Sequence, residues 1–291
     1  MMRNVPGQKA AENLAAAAWA GHEFQDATFL WPRAFSDLGE EYDRRYGLKY
    51  EHLMRIAEVN FANAKRNPNA QTRQWAFNDK SFTADDEANP VVEGMIRKND
   101  CGQVTDGSAV VFLASDKAAA DYAKKRGVPL ESLARIQGWG HRSAPISYER
   151  KIRASRDAPY VFPQVRRAIE DARGRAGVSD IGQIDAVETH DCFTTTEYMA
   201  IEHLGLTAPG EAWKAIEAGD IEIGGRLPVN PSGGLIGGGH PVGATGVRMA
   251  LDACKQVTGK AGDYQVEGAR TVQTLNIGGS TTTTVSLIVG V

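Results

Sequence analysis

Several broad classes are excluded by what this sequence lacks. It has three cysteines in 291 residues. That is too few, and odd in number, for a disulfide framework, so a reducing compartment fits. It lacks a charge excess: 33 basic against 36 acidic residues leaves a net charge of −3. No electrostatic case for nucleic acid or an anionic membrane surface follows. It also lacks a long apolar run. The longest, 14–20, is mostly alanine and falls far short of the ~20 residues a spanning helix needs. Ala16, Ala17 and Ala18 read instead as a close-packed helix face. Residues 1–7 carry no charged region followed by an apolar stretch, so they are not a signal peptide. The terminal VGV at 289–291 matches no lipidation or peroxisomal tail. No internal repeat or low-complexity tract occurs. These absences point to a cytoplasmic chain with no nucleic-acid partner and no membrane insertion.

The length accommodates two domains at roughly 100–200 residues each. With 42% apolar residues, a chain near 300 residues buries about 75% of its unfolded surface. Residues 1–100 read as helical and loop-rich. Segments 38–46 and 50–65 carry helical spacing, with Leu53, Ile56, Ala57 and Asn60/Phe61 on one face of the second. Pro68 stops that helix, and 73–89 is polar and turn-rich. Residues 108–114 (SAVVFLA) form an apolar run of strand length, as in a buried strand. Ser115 or Asp116 then caps a helix over 117–125.

From residue 128 strands and helices alternate. The spacing predicts strands at 133–139 and 184–188 and helices at 163–176, 194–204 and 243–257. Val165, Ala168, Ile169 and Ala172 face inward on the first helix. On the last, Val247, Met249/Ala250, Leu251, Cys254 and Val257 form the buried stripe. Two β-rich runs, 269–276 and 282–289, are joined by Ile277-Gly278-Gly279-Ser280. This order argues for an α/β domain layered α/β/α.

What is abundant is glycine, 31 of 291 against an average near 7%. Seven of the sixteen residues from Pro231 to Gly246 are glycine. Such density suits a backbone that takes positive φ repeatedly or approaches a ligand or another backbone closely. His240 lies within it, ahead of Pro241. A histidine at a loop-to-helix junction can bind an oxyanion or act as a base. A tight turn with an incidental histidine accounts for the same residues. The segment is neither a P-loop nor a dinucleotide fingerprint.

A second segment, THDCF at 189–193, ends a predicted strand, where open sheets commonly carry ligand sites. His190 and Cys192 are two residues apart and share a face on an extended segment. A cysteine beside a histidine can be a reactive thiolate; a buried free cysteine is the plain alternative. The ligand count for zinc fails, so no metal is expected. A third segment, NIGGS at 276–280, offers backbone N–H groups to an oxygen or is a simple hairpin turn. Cys101 and Cys254 read as structural. Arg150, Lys151, Arg153 and Arg156 read as a solvated basic loop, with an anionic ligand as the alternative. His22, His52, His141 and His203 have no supporting constellation, and the five tryptophans read as packing residues.

Together HDCF at 190–193, VNPSGGL at 229–235, GHPVGATG at 239–246 and QVEGARTVQTLNIGGS at 265–280 resemble the sterol-carrier-protein-2 type of thiolase, the lipid-transfer-protein/thiolase group. DCGQVTDGSAVVFLAS at 100–115 resembles the end of that family's N-terminal half, and 1–99 its helical loop domain. The resemblance implies a thiolase fold with the C-terminal half (128–291) and loop domain complete. The N-terminal half, represented by 100–127, is incomplete. It further implies an acyltransferase of the acetyl-CoA C-acyltransferase type. The substrates are 3-oxoacyl-CoA or sterol side-chain CoA thioesters, with coenzyme A as substrate and no further cofactor. His240 matches the histidine that activates the nucleophile and binds the thioester oxyanion. His190 would orient a water or donate to an oxyanion, and Cys192 would supply the acid/base thiol. Gly278, Asn276, Gly239, Ser232 and Gly233 fall in the oxyanion and substrate loops. Asn276 stands where other thiolases have a cysteine, so that thiol is not supplied there.

None of Cys101, Cys192 and Cys254 stands in the motif of the family's nucleophilic cysteine, and strands to pair with 108–114 are missing, leaving open edges and exposed apolar faces. Three accounts follow: a truncated gene product, a subunit completed by another chain, or a non-catalytic acyl-CoA- or lipid-binding or transfer protein. A carbon–carbon lyase of the aldolase type needing a partner chain is a further alternative. Partners implied are acyl-CoA or CoA and either a second copy or a completing chain.

Overall fold

The computed structural model describes residues 4–291; residues 1–3, part of the stretch read above for a targeting signal, lie outside them. The N-terminal region is helical: α1 (Gly7–Ala15), α2 (Leu30–Tyr46) and α3 (Tyr50–Arg66), followed by a short hairpin of β1 (Val91–Glu93) and β2 (Ile96–Arg97). After an exposed connection comes α4 (Asp116–Arg126). The remainder is β3 (Arg135–Ser143), α5 (Tyr148–Ala154), α6 (Pro163–Ala176), β4 (Ala186–Thr189), α7 (Thr194–Leu204), α8 (Ala212–Glu217), α9 (Gly234–Gly238), α10 (Thr245–Val257), β5 (Thr271–Gly278) and β6 (Thr283–Gly290).

Four strands form one sheet in the order β3-β6-β5-β4, antiparallel except for the parallel β4–β5 pair. Neighbouring residues along a strand serve opposite faces, as the pleat requires. Val187 and Ile288 join the larger core, whereas Ala186 and Val289 join the smaller one under α10. Helix α6 covers the first face and α10 the second. The predicted layering α/β/α is therefore the observed one. Helix α7 is buried along its whole length because α2, α3, α6 and α8 all pack on it. The close fit of α6 on β3 depends on glycine: a Cβ at Gly140 would overlap the carbonyl oxygen of Ala168.

Helices α6 and α7 have the predicted bounds, and α3 ends at Arg66, just before Pro68. Ser115 caps α4 by accepting from the Ala118 N–H.

Five expectations need correction. Residues 108–114 are not a buried strand. No strand of the described residues pairs with them, and their apolar side chains face solvent, with Phe112 96% and Leu113 80% exposed. Helix α1 ends at Ala15, so Ala16 and Ala17 are exposed turn residues rather than a packed face. On α10 the buried stripe is Met249, Asp252, Ala253, Gln256 and Val257, and Val247 is exposed. The polar members are drawn in by Tyr264: its hydroxyl donates to Asp252 (2.9 Å), and the Gln256 amide donates to its carbonyl (2.8 Å). The basic cluster is not uniformly solvated either. Arg150, Arg153 and Arg156 are exposed, but Lys151 is buried, its Nζ donating to Ser280 Oγ (2.6 Å) and Thr282 Oγ1 (3.2 Å). Loss of water pushes its pKa down to about 8. The tryptophans are mixed, with Trp139 more than half exposed under the Arg175 guanidinium.

Candidate active site

Because β4 and β5 are parallel, their C-terminal ends lie side by side, the usual place for a ligand site in such a sheet. The ladder continues one residue past β4, where the His190 N–H donates to the Leu275 carbonyl (2.8 Å). This sets His190 beside Asn276, whose Nδ2 lies 3.3 Å from His190 Nδ1. His240 arrives from the other direction. Its backbone is held by residues 103–105: His240 N–H donates to Gln103 O (2.8 Å) and Thr105 N–H to His240 O (3.2 Å). The two imidazoles meet edge to face, centroids 5.2 Å apart and planes at 88°. His240 Nδ1 is 2.7 Å from the Thr245 hydroxyl.

Burial, the neighbouring His240 and the Arg248 charge hold His190 well below the usual imidazole range. Burial and Arg248 bring His240 down to about 4. Both rings are therefore neutral at pH 7, and each can donate at one nitrogen and accept at the other.

Cys192 lies in the same loop but has a different environment. Its Sγ contacts the Thr196 hydroxyl (3.8 Å), not an imidazole. Burial pushes the thiol up to about 12, so it is protonated at neutral pH. Ser232 is committed elsewhere: its N–H and hydroxyl donate to the Glu188 carboxylate (3.1 and 2.6 Å). Gly233 packs on Ala64 of α3, Gly239 forms the positive-φ turn leading into His240, and Gly278 pairs with Thr283 at the end of β5. Of the candidates, His190, His240 and Asn276 come together and Gly239 and Gly278 flank them, while Cys192 turns to Thr196, Ser232 is bound to Glu188 and Gly233 packs on α3.

The glycine density has two causes. A Cβ at Gly237 would collide with α3 at Asn60 and Ala64. One at Gly234, where φ is +62°, would run into the Asp191 carboxylate. Asp191 accepts from the Leu235 and Ile236 N–H groups (2.6 and 3.1 Å), so the residue between His190 and Cys192 also anchors the segment that delivers His240.

Behind these residues lies a polar network that sequence reasoning missed. The Asn60 amide donates to Asp191 (3.0 Å) and Glu197 (2.7 Å), and Asn230 also donates to Glu197 (2.7 Å). Glu188 shares Ser232 with Arg248, whose Nη1 is 3.4 Å from the Ser232 hydroxyl. Burial raises Glu188, Asp191 and Glu197 well above the usual carboxylate range. Asp191, Asn230 and Ser232 lie in the motif segments quoted above, but nothing local marks Asn60, Glu188, Glu197 or Arg248. Glu197 sits in a helix and Arg248–Asp252 has the i,i+4 spacing of an ordinary surface pair. Thr245 carried a faint signal, since it lies in the same motif as His240.

Comparison with known proteins bears on this geometry. Residues 147–291 match the thiolase C-terminal domain-like family. The acetyl-CoA acetyltransferase of Methanothermobacter thermautotrophicus is 33% identical over 258 residues, 88% of this chain and 62% of that protein. Human sterol carrier protein 2 is 32% identical over 247 residues, 85% of this chain and 43% of that protein. The chain thus spans from under half to about three fifths of the length of these relatives. In fold, the Ltp2-ChsH2(DUF35) aldolase superposes with a TM-score of 0.73 at 22% identity, covering 98% of this chain and 68% of that one. The architecture is the thiolase fold. Residues 147–291 belong to the thiolase C-terminal domain-like family.

Proposed function

We propose that this chain supplies the carbonyl-binding and proton-handling part of a thiolase-type site for 3-oxoacyl-CoA or sterol side-chain CoA thioesters. The observation that carries this reading is the meeting of two neutral imidazoles, 5.2 Å apart, with the Asn276 amide at the ends of two parallel strands. Once a thiolate has added to the 3-oxo carbon, collapse of the adduct breaks the bond between the α and β carbons, leaves the acyl group as a new thioester on that thiol, and moves the electron pair onto the oxygen of the CoA thioester as an enolate. A preorganised donor there is worth about 10²–10³ in rate. One neutral imidazole can donate to that oxygen while the other accepts a proton. The acyl-CoA names carried by the relatives support the substrate class. Coenzyme A enters as part of the substrate, and no further cofactor is invoked. Three free cysteines suit a cytoplasmic setting, and no described helix is long and apolar enough to cross a membrane.

One observation favours a second reading, a carbon–carbon lyase of the aldolase type. Cys192 is a buried, protonated thiol held on Thr196, and a retro-aldol step needs no thiol. A base takes the proton of the 3-hydroxyl group, the same carbon–carbon bond breaks, and a carbonyl product leaves with the enolate still to be protonated. A completing chain or a second copy is compatible with both readings.

Acetoacetyl-CoA with CoA, and separately a 3-hydroxyacyl-CoA, are the discriminating substrates. Loss of the 3-oxoacyl thioester, abolished in His240→Ala, supports the first reading. Release of a carbonyl product from the second substrate alone supports the lyase. Thiolysis that survives replacing all three cysteines by alanine overturns a thiol role for Cys192. Acyl-CoA binding without turnover of either substrate returns the chain to the binding or transfer class.

A further inference from the structure

Asn276 stands where the resemblance would place an acid/base cysteine, and a carboxamide has no proton to exchange at neutral pH. Its surroundings give it a different task. The Asn276 Nδ2 atom is within 3.2 Å of the Met249 sulfur and 3.3 Å of His190 Nδ1. Met249 is fully buried, and a thioether sulfur accepts but cannot donate. Turning the amide over would set its carbonyl oxygen against the sulfur lone pairs, acceptor facing acceptor. The amino group therefore belongs on this side, with one hydrogen for the sulfur and one for the imidazole. A nitrogen that accepts a hydrogen bond carries no proton, so a neutral His190 must carry its proton on Nε2.

The rest of the site keeps this arrangement in place. His190 is 7% exposed and anchored through its own N–H to Leu275, the residue before Asn276. The charged or titratable groups acting on it are His240 and Arg248 of α10, and both oppose a second proton on the ring. Neither presents an acceptor that the structure pairs with His190 Nδ1; the Asn276 amide is that atom's partner.

We infer that Asn276 is a positioning residue that fixes His190 in its Nε2–H tautomer, making His190 a hydrogen-bond donor to substrate oxygen rather than a base. This rests on the thiolase-type reading for its consequence, though not for the tautomer itself. It divides the labour between the two rings: His190 donates to the developing enolate oxygen, and His240 is left to move protons.

The test is imidazole ¹⁵N spectroscopy of the whole chain labelled at histidine, with the His190 signals among the six histidines assigned by their loss in His190→Gln. At pH 7 the expected result is a protonated-type Nε2 and a bare-type Nδ1 for His190. A protonated Nδ1 in the unsubstituted protein overturns the inference. Asn276→Asp places an acceptor-only group at the same position, so the proton is expected to move to Nδ1. An unchanged tautomer in a folded Asn276→Asp protein also overturns it. Should that variant fail to fold, the spectrum of the unsubstituted chain still decides. In a turnover assay Asn276→Asp is expected to lower kcat/KM by about 10²–10³, the loss of one oxyanion donor. A chain with no turnover but the expected spectrum keeps the tautomer and removes the functional reading. Turnover together with a protonated Nδ1 does the reverse.

Discussion

At the scale of single residues, burial sets the chemistry of the site. It keeps His190 and His240 neutral and Cys192 protonated. It also raises Glu188, which accepts from Ser232 and lies near Asp252. A carboxyl whose folded pKa lies above its unfolded value contributes stability that is fully present below the unfolded pKa. That contribution is lost as pH rises through the folded value, here about 8. Glu188→Gln is therefore expected to cost about 1 kcal/mol for one weakened hydrogen bond at pH 5. It should also flatten the fall in stability between pH 5 and 9, checked by denaturant midpoints across that range. The buried histidines have the opposite sign. His203, whose Nε2 accepts from the Phe162 N–H, is lowered to about 3. Its contribution is present above about pH 6.5 and is lost progressively as pH falls from there through the folded value of about 3. His203→Phe should make the acid-side unfolding transition less steep than in the unsubstituted protein.

At the scale of elements, the contrast is between α4 and the helices around the sheet. Ala123 is the one buried residue of α4, whereas every residue of α7 is buried. Helices with few apolar contacts open locally at low cost. Amide hydrogen exchange should find α4 among the first elements to exchange and α7 among the last; comparable protection of the two would contradict this packing. The α6–β3 contact makes a second prediction. Gly140→Ala forces a methyl group against the Ala168 carbonyl, so α6 must move or distort. Overpacking of this kind costs about 1–3 kcal/mol, measurable as a shift of the urea midpoint. Helix α6 was legible from sequence because its inward positions recur at helical spacing and Pro163 and Gly177 mark its ends. On α10 the same reasoning misplaced the stripe, because Asp252 and Gln256 are buried through Tyr264, a residue outside the helix.

At the scale of the whole molecule, the exposed segment 108–114 separates local pattern from tertiary context. An apolar run of strand length would lie in a sheet core if strands flanked it, and replacing a buried phenylalanine there by a small residue would cost about 3–5 kcal/mol. Phe112 instead is 96% exposed. Phe112→Ser is therefore expected to change folding stability by no more than about 0.5 kcal/mol. A midpoint shift several times larger would show that the side chain is packed in solution.

The sequence by itself determined the periodic helices, the positions of β4, β5 and β6, and the three short segments that carry His190, His240 and Asn276. These are local properties: side-chain spacing, caps and turn residues act over a few positions. Only the tertiary structure decided which motif residues meet. His190 and Asn276 are 86 residues apart in the chain and are neighbours because β4 and β5 pair in parallel. Asn60 and Glu197 are 137 apart and are joined because α3 packs on α7. The same long-range packing turned Cys192 to Thr196, drew Lys151 under the β5–β6 turn and left Phe112 in water. Burial and partner choice belong to the whole assembly of elements, and so therefore do the protonation states on which the chemistry depends.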